Sequence, residues 1–547
     1  MTWDTVVIGS GPGGMSAAVA LARGGQKVLV LEQHTLPGGW SHSFTLEGHR
    51  FSPGVHYLGA LHPGGGLRRI YEGLGVAGDL EFCEMNPEAF DHFLIEGKRF
   101  DQPRGRKRWL DRLSAAFPHE REGLARYFAT LSGLVKELNG AEELLRFPQV
   151  LGLPFRAPRL MRWGMSTLQS LLESRIKDPM LKAILSAQCG NHGLAPSRVS
   201  LPLHAAMAAH YDDGAFYPRG GAKRIPAAFI KALRKHGGQI RTGTRVTKIL
   251  VQGDRTVGVL TSEGEVIQAR NVVCNADPAT VFGTMLPEKY CKAEMKKARR
   301  MEYSVSALSL FVAVEMDLRG MGFDSGNYWW YRSSDVDGIY RRAEHTLPES
   351  GLDVLFLAIT SLKDPGHARP GMHTLELFTF VPWELFSRWS GTSLGERGNE
   401  YRLLKQGLAD RALDTAELII PKLRSHVRFL EIGTPLTNDY YCETHRGALY
   451  GTAKTPWQMG PFSFGQRGPV EGLHFCGAST LSHGVAGAAM SGLIAAAPIL
   501  GHSHFEQCLG PTESPLSIVP ADHPELWLRP PVNSLSLRSG ERVGVRG

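Results

Sequence analysis

Three glycines near the N-terminus have the spacing of a phosphate-binding turn. Gly9, Gly11 and Gly14 follow the apolar run at residues 6–8, and residues 15–23 come next with small side chains on one side. Glycine at these positions permits a tight turn and lets the backbone approach a pyrophosphate, while the start of the following helix offers N–H donors and a positive dipole. The pattern therefore predicts a strand, a turn and a helix that bind a dinucleotide.

A carboxylate at the end of the next apolar run completes this pattern. Residues 28–31 are all Val or Leu and predict a second buried strand, and Glu32 follows them eighteen residues after Gly14. At this distance an acid is placed to accept the hydroxyls of a ribose. The glycine spacing alone is weak evidence, but its place between a strand and a helix, with the acid at this distance, makes the prediction specific.

A similar segment lies near the C-terminus. Residues 473–475 predict a short strand, Gly477 a turn, and residues 484–496 a helix of small side chains. The first N–H groups of such a helix would point at a ligand, as in the N-terminal segment. Together the two segments predict one extended cofactor that is held from both ends of the chain.

One titratable ring lies in a short apolar segment bracketed by glycines, Gly54-Val55-His56-Tyr57-Leu58-Gly59. A histidine in the core, with its ring nitrogens satisfied there, would explain this pattern as well as a functional histidine does. The residues alone leave both interpretations open.

Composition indicates an ordinary soluble protein with more than one domain. The 547 residues exceed one compact core, and the chain is 42% hydrophobic and 21% charged. Seven cysteines are scattered without C-x-x-C or metal-ligand spacing, so we expect no disulfide framework, no metal site and a cytoplasmic protein. Residues 484–501 are nearly uncharged but rich in Ala and Gly and interrupted by Pro498, which predicts a buried helix rather than a membrane span.

The net charge of +8 does not indicate a nucleic-acid partner. The dense basic run at residues 104–108 has no nucleic-acid module around it, and is either a solvated loop or a segment attracted to an anionic membrane. Residues 147–163 mix large apolar side chains with Arg156, Arg159 and Arg162. They predict either a segment that dips into a bilayer interface or a packed loop lined by arginines. Peripheral membrane contact is therefore open.

The order of predicted elements indicates an α/β protein with discontinuous domains. Residues 1–75, 215–300 and 460–505 are assigned to a Rossmann-type nucleotide-binding domain, residues 76–214 to a mainly helical insert of a substrate domain, residues 301–459 to the mixed sheet of that domain, and residues 506–547 to a largely disordered C-terminal segment. The chain leaves the nucleotide-binding domain and returns to it twice.

These segments resemble flavoproteins of the phytoene desaturase, carotenoid isomerase and retinol saturase superfamily. The resemblance rests on the N-terminal glycine turn, Leu36-Pro37-Gly38-Gly39, Tyr217-Pro218-Arg219-Gly220-Gly221 and residues 472–496, and it covers roughly residues 1–500. The His56 segment is similar to the glycine-x-histidine-tyrosine segment of retinol saturases, because the desaturase branch usually has a proline after that glycine.

The resemblance implies FAD, bound non-covalently in a two-domain fold like that of the amine oxidases. It implies roles for Gly9, Gly11, Gly13 and Gly14 at the pyrophosphate, Glu32 at the adenosine ribose, Gly39, Trp40 and Ser41 along the cofactor, Val246 at the adenine, and Gly477, Val485 and Ala486 near the ribityl chain and isoalloxazine. It also places His56 and Tyr57 near the flavin face, which makes them candidates for proton delivery.

The implied activity is saturation or desaturation of carbon-carbon double bonds in an apolar polyene or isoprenoid, such as a retinoid or carotenoid, or a related lipid. Reduced flavin would deliver hydride to one carbon while an acid protonates the other. Because the sequence has no second strand-linked G-x-G-x-x-G, electrons would come from a redox protein, a quinone or a visiting nicotinamide. The alternatives are a redox-neutral isomerase, an amine oxidase, which the His56 segment disfavours, and a non-catalytic flavin- or lipid-binding protein.

Overall fold

The computed structural model describes residues 2–140, 153–393 and 395–527. Its strands are β1 (Trp3–Ile8), β2 (Val28–Leu31), β3 (Phe44–Leu46), β4 (His49–Phe51), β5 (Glu81–Glu84), β6 (Asp91–Ile95), β7 (Lys98–Gln102), β8 (Phe216–Pro218), β9 (Gln239–Arg241), β10 (Val246–Gln252), β11 (Arg255–Thr261), β12 (Val266–Cys274), β13 (Ser306–Val314), β14 (Asn327–Tyr331), β15 (Val354–Ile359), β16 (His373–Val381), β17 (Val427–Gly433), β18 (Leu473–Phe475) and β19 (Ser517–Pro520). Its helices are α1 (Pro12–Arg23), α2 (Gly66–Gly73), α3 (Arg106–Ala116), α4 (Arg121–Asn139), α5 (Leu153–Arg156), α6 (Pro158–Trp163), α7 (Leu168–Arg175), α8 (Pro179–Ser186), α9 (Leu201–Tyr211), α10 (Arg224–Lys235), α11 (Pro278–Thr280), α12 (Glu288–Ala298), α13 (Val336–Ala343), α14 (Thr360–Lys363), α15 (Gly398–Glu417), α16 (Pro435–Cys442) and α17 (Gly484–Ile499).

Seven strands form a sheet around β1. Their order is β10-β11-β12-β1-β2-β9, and β18 pairs with β12. β1 lies parallel to β2 and β12, which lie parallel to β9 and β18 respectively. β2 is buried along its whole length and β1 along nearly all of it, as is typical of the middle of a parallel sheet. This sheet joins strands from residues 3–31, 239–274 and 473–475, so both ends of the chain contribute to one nucleotide-binding domain.

Helices α1 and α17 cover this sheet and contact each other directly. A Cβ on Gly492 of α17 would lie 2.0 Å from the carbonyl oxygen of Gly13 in α1, so the two backbones approach as closely as glycine allows. Both helices contribute small side chains to the same core, among them Ala17 and Ala489. The N-terminal glycine turn and the C-terminal glycine-rich helix are therefore brought to one place.

The second large sheet has the order β17-β13-β16-β15-β14-β6-β7 and is antiparallel except where β14 pairs with β6. Its two faces pack in different cores. Leu310 and Leu377 lie in a core shared with α15, whereas Trp329 and Phe356 lie in a core shared with the helices of the insert. Alternate side chains of a strand point to opposite faces, which explains this division.

Residues 76–214 contain more strand than the sequence pattern indicates. β6 and β7 extend the second sheet, and β5 forms a small sheet with β8 and β19. The partners of β5 and β6 lie far away in the chain, with Asp91 opposite Asn327 and Cys83 opposite Tyr217. A local apolar pattern carries no information about such partners, which explains why β5 was not predicted. β6 and β7 also pair with each other across residues 96–97, and this local hairpin was missed.

The C-terminal segment differs from the expectation of disorder from residue 506 onward. β19 pairs in parallel with β5, and Leu516 packs in the core that holds α1. The indole Nε1 of Trp527 donates to the carbonyl oxygen of Pro520 over 2.7 Å. The edge of β5 and the adjoining apolar core thus order a segment whose composition predicts disorder. Residues 528–547 lie outside the described residues.

The apolar C-terminal helix packs inside the protein, as its length and composition predict. α17 has 16 residues, with Pro498 near its end, and most of its side chains are buried. Across residues 2–140, 153–393 and 395–527, no helix is long and apolar enough to cross a membrane. The same part of the chain holds no group of three or more His, Cys, Asp or Glu side chains that could bind a metal ion.

Candidate cofactor and substrate site

A cavity lies at the carboxyl ends of the central strands of the nucleotide-binding sheet. The residues that directly follow β1, β2, β12 and β18 line it, namely Gly9, Glu32, Asn275 and Cys476. Open parallel sheets bind their ligands at this edge. Its lining also includes His56 and Phe378, so the cavity extends from the sheet edge to the second sheet.

Most of the residues that the sequence singled out meet in this cavity. Its lining includes Gly9, Gly11, Glu32, Gly39, Trp40, Ser41, His56, Val246, Gly477 and Val485. Gly13, Gly14, Tyr57 and Ala486 are not among its lining residues. Gly13, Gly14 and Ala486 lie in the first turns of α1 and α17, where they shape the packing between these helices and the strands.

The N-terminal turn requires glycine at two positions for different reasons. Gly9 has φ of +89°, in the left-handed region that favours glycine. At Gly14 the limit is space, because a Cβ would lie 2.1 Å from the carbonyl oxygen of Gly9. The N–H of Gly14 donates to Oδ1 of Asn275 over 3.1 Å, which ties the helix to the end of β12.

Glu32 is buried, and its carboxylate already accepts three hydrogen bonds from the protein. Its Oε2 accepts from the N–H and the hydroxyl of Ser10, over 2.9 and 2.6 Å, and its Oε1 accepts from the N–H of His34 over 3.0 Å. A carboxylate offers about four acceptor positions. One position on Oε1 is therefore left for a ligand hydroxyl, and the three protein donors fix its direction.

The loop after β2 closes over the turn. The hydroxyl of Ser10 accepts from the N–H of Gly38 over 2.9 Å, which couples this loop to the Glu32 carboxylate. Residues 39–41 then form a short 3-10 helix in which Ser41 is 1% exposed. The hydroxyl of Ser41 has no hydrogen-bond partner within the described residues, although it is buried. A buried hydroxyl without a partner is costly, and a ligand in this cavity would satisfy it.

The donor set fits a dinucleotide. α1 and α17 both begin at the cavity, and in neither helix does the side chain of the N-cap residue accept a hydrogen bond from the first turn. In α1 the N–H of Gly14 donates to Asn275 instead. The uncapped N–H groups of a helix start and its positive dipole favour phosphate oxygens. Together with the free position on Glu32 and the Ser41 hydroxyl, they suit a long ligand with a diphosphate in the middle and a ribose at one end.

His56 lies where the cavity meets the second sheet. Its Nδ1 is 3.0 Å from Oε2 of Glu376 on β16, and the side chains of the two residues are 13% and 2% exposed. The rings of Phe356 and Phe378 lie 5.3 and 5.2 Å from the imidazole, measured between centroids. His56 is thus a polar group in an apolar wall, held by one buried carboxylate.

Tyr57 points away from the cavity into a buried polar network. Its hydroxyl donates to Asp91 over 3.3 Å and accepts from the side-chain amide of Asn191 over 2.8 Å. Asp91 also accepts from Gln188 and Asn327, and burial raises its pKa to about 6. Tyr57 therefore does not line the cavity itself; its hydroxyl contacts Asp91 and Asn191 instead.

A buried lysine links this network to His56. Nζ of Lys363 donates to the side-chain oxygen of Asn327 over 2.5 Å and to the backbone oxygen of His56 over 2.7 Å. Burial lowers the pKa of Lys363 to about 7. The network thus holds the backbone of residue 56 in place without contacting the imidazole.

The structure adds cavity residues that the sequence reasoning did not assign. Asn275, Tyr450 and His483 line the cavity, and the rings of Tyr450 and His483 lie 5.0 Å apart. Burial lowers the pKa of His483 to about 3, so its imidazole is neutral at physiological pH. The sequence could have indicated Asn275 and His483 as cavity residues, because Asn275 directly follows a predicted strand and His483 directly precedes a predicted helix. Nothing near Glu376 in the sequence indicates its contact with His56.

Comparison with known proteins agrees with this geometry. The family model described as flavin containing amine oxidoreductase matches residues 12–500. An all-trans-retinol 13,14-reductase of Rattus norvegicus is 30% identical, over 93% of this chain and 87% of the relative. A chloroplastic prolycopene isomerase of Daucus carota is 27% identical, over 92% and 81%. The crystal structure of an oxidoreductase from Methanosarcina mazei superposes with a TM-score of 0.61 and 18% identity, over 90% of this chain and 99% of that one.

Proposed function

The chain is a member of the flavin-containing amine oxidoreductase family, and on this premise we propose that it is an FAD-dependent oxidoreductase acting on carbon-carbon double bonds of an apolar polyene or isoprenoid. Relatives named all-trans-retinol 13,14-reductase and prolycopene isomerase support a substrate of this class. The observation that carries the proposal is that His56 lines the same cavity as the glycine turn. A proton donor and a site for a redox cofactor therefore share one space.

FAD is the proposed flavin because the cavity offers a place for an adenosine end. Glu32 and Val246 line the part of the cavity at the ends of β2 and the start of β10. A flavin mononucleotide has no adenosine to occupy this part. The free acceptor position on Glu32 supports recognition of a ribose hydroxyl there.

In the proposed reaction, a bound flavin supplies hydride transfer to one carbon of the double bond. His56 supplies the proton to the other carbon, since an imidazole exchanges protons near neutral pH. Phe378 and Leu449 line the same cavity, where they hold an apolar chain against His56 and exclude water. Tyr57 does not donate a proton itself. It belongs to the network of Asp91 and Asn327, from which Lys363 donates to the backbone oxygen of His56.

A redox-neutral double-bond isomerase is the second candidate function. The prolycopene isomerase relative, at 27% identity over 92% of this chain, favours it. An isomerase would use the same cavity and the same polyene class, but turnover would consume no electrons. Electron balance therefore separates the two functions.

The deciding experiment follows reoxidation of anaerobically reduced flavin by retinoids, carotenoids and unsaturated lipids. We expect one class to reoxidise the flavin in proportion to product that has gained two hydrogens. A rearranged product without reoxidation would establish the isomerase instead. A flavin that stays reduced with every polyene, together with unchanged polyenes, would refute saturation and isomerisation on this panel, and desaturation would then be tested with the oxidised flavin. A protein that binds no FAD would refute the whole proposal.

The electron donor is proposed to be a separate redox protein, a quinone or a nicotinamide that visits the flavin. The absence of a second strand-linked G-x-G-x-x-G in the sequence supports an external donor. Mixing the oxidised flavoprotein anaerobically with the reduced form of each class in turn (a reduced redox protein, a quinol or NAD(P)H), and following bleaching of the flavin, identifies the donor as the class that reduces it.

Peripheral membrane contact is part of the proposal, because an apolar substrate is held in membranes. Exposed apolar side chains at two segments support it: Phe155, Met161 and Met165 in one, Trp457 and Phe462 in the other. Met165, Trp457 and Phe462 line one groove together with Lys296 and Arg300. Residues 147–152 of the segment predicted to meet a bilayer lie outside the described residues.

The double variant Lys296→Gln/Arg300→Gln is expected to weaken binding to vesicles of zwitterionic and anionic lipid about 10- to 30-fold. Each basic residue near an anionic surface contributes about 1 kcal/mol, and a factor of ten corresponds to about 1.4 kcal/mol. Co-sedimentation measures this. The control Lys231→Gln/Lys235→Gln removes the same charge from exposed positions on α10 and should leave binding unchanged. Equal loss in both variants would indicate attraction by net charge alone.

A further inference from the structure

Glu376 holds its carboxylate between two donors at the end of the cavity. Oε1 accepts from the backbone N–H of Ser52 over 2.5 Å, and Oε2 lies 3.0 Å from Nδ1 of His56. The side chain is only 2% exposed, so the carboxylate depends on these contacts rather than on water. One oxygen is thus assigned to the backbone and the other to the imidazole.

The surroundings fix both oxygens. Glu376 lies on β16, a strand paired on both sides, with Phe311 and Ala358 opposite it in β13 and β15. Ser52 is held in turn, because its hydroxyl accepts from the N–H of Ala222 over 3.2 Å and from the hydroxyl of Tyr217 over 3.1 Å. The carboxylate therefore has little freedom to exchange its two oxygens between the donors.

A carboxylate only accepts hydrogen bonds, so Nδ1 of His56 must carry the proton of this contact. Nε2 has no hydrogen-bond partner among the residues that the structure describes, and His56 lines the cavity. We propose that Glu376 is the positioning residue of His56: it fixes the imidazole with a protonated Nδ1, stabilises the imidazolium and leaves Nε2–H as the atom that delivers the proton. This inference rests on the proposed role of His56 as the proton donor.

The substitution Glu376→Gln tests this because it keeps the size of the side chain while it reverses the hydrogen-bond polarity toward Nδ1 and removes the negative charge, which also acts on the buried Lys363. The N–H of Ser52 claims the single amide oxygen, which turns the amide NH₂ toward Nδ1. Nδ1 must then accept, and the neutral imidazole carries its proton on Nε2. The amide also carries no negative charge and turns its NH₂ group toward the ring, so it no longer stabilises the imidazolium. Proton delivery should therefore slow while flavin binding persists.

We expect ¹⁵N spectra of protein labelled at histidine to show a protonated Nδ1 for His56 in the wild type and an unprotonated Nδ1 in Glu376→Gln. The signal is assigned by its loss in His56→Gln. We expect polyene-dependent flavin reoxidation in Glu376→Gln to be on the order of 10²–10⁴-fold slower, with unchanged flavin absorbance. Glu376→Asp should keep the protonated Nδ1 and recover part of the rate.

The control is Glu120→Gln, which alters another buried carboxylate that accepts from the backbone N–H groups of residues 177 and 178. It should change neither the His56 signal nor the rate. An unprotonated Nδ1 in the neutral imidazole of the wild type, or a Glu376→Gln variant with the wild-type signal and rate, would overturn the inference. If Glu376→Gln does not fold, the wild-type and Glu376→Asp spectra still decide it. If no polyene reacts with the wild type, the proposed function fails while the spectra still decide the role of Glu376.

Discussion

A His56→Gln variant is expected to retain its flavin and to reduce a polyene on the order of 10²–10⁴-fold more slowly than the wild type, which is the contribution of a positioned acid. Glutamine keeps a polar group of similar size in the cavity wall, but an amide does not release a proton at neutral pH. The residues that suit a dinucleotide, Gly9 and Glu32 among them, belong to other segments of the wall. Single-turnover reoxidation of the reduced flavin measures the loss.

His62→Gln is the matched control for this variant. His62 lies six residues further along, pairs with Asp213 over 3.2 Å at a partly exposed position and is not among the residues that line the cavity. The rate of His62→Gln should equal that of the wild type, because His62 does not line the cavity. A wild-type rate in His56→Gln would show that another group delivers the proton.

A Gly14→Ala variant is expected to lose its flavin and to be destabilised by about 1–3 kcal/mol or more, the range for overpacked sites. The new Cβ would lie 2.1 Å from the carbonyl oxygen of Gly9, and both groups belong to the backbone, so no side-chain rotation relieves the contact. α1 must then move away from β1, which also strains the hydrogen bond from Gly14 to Asn275. Flavin absorbance per chain and thermal unfolding measure the two effects.

Gly407→Ala is the control for the same chemical change. Gly407 lies within α15, is exposed, and a Cβ there meets no atom within 4 Å. Alanine in a helix interior stabilises by about 0.5–1 kcal/mol relative to glycine. A Gly14→Ala variant that behaves like Gly407→Ala, with full flavin content, would contradict the role of the turn.

The parts of the site that the sequence could predict are those whose information is local. Gly9, Gly14 and Glu32 lie within one strand-turn-helix-strand unit, so spacing alone gives their arrangement. The family and the fold class were predicted from such segments, and the comparisons confirm both. The role of each residue toward a cofactor stays a prediction.

The remaining parts depend on contacts between distant segments, which periodicity does not encode. Glu376 meets His56 across 320 residues, and Asp91 meets Tyr57 across 34 residues and Asn327 across 236. The resemblance placed Tyr57 near the flavin face together with His56, but Tyr57 is not among the residues that line the cavity. Neighbouring side chains in an extended segment point in opposite directions. β19 illustrates the same limit, because its order depends on the edge of β5 rather than on its own composition.

The packing of α17 on α1 also sets the order of events when the chain is made. β18 and α17 leave the ribosome more than 400 residues after the turn at Gly14 that they complete. At synthesis rates of about 5–20 residues per second, this interval lasts about 20 to 90 seconds. A nascent chain that stops before β18 leaves an apolar face of α1 uncovered and lacks the C-terminal part of the cavity wall, which includes Cys476, Gly477 and Val485. We therefore expect flavin to bind after α17 has been synthesised and has packed on α1, because residues from both ends of the chain line the cavity.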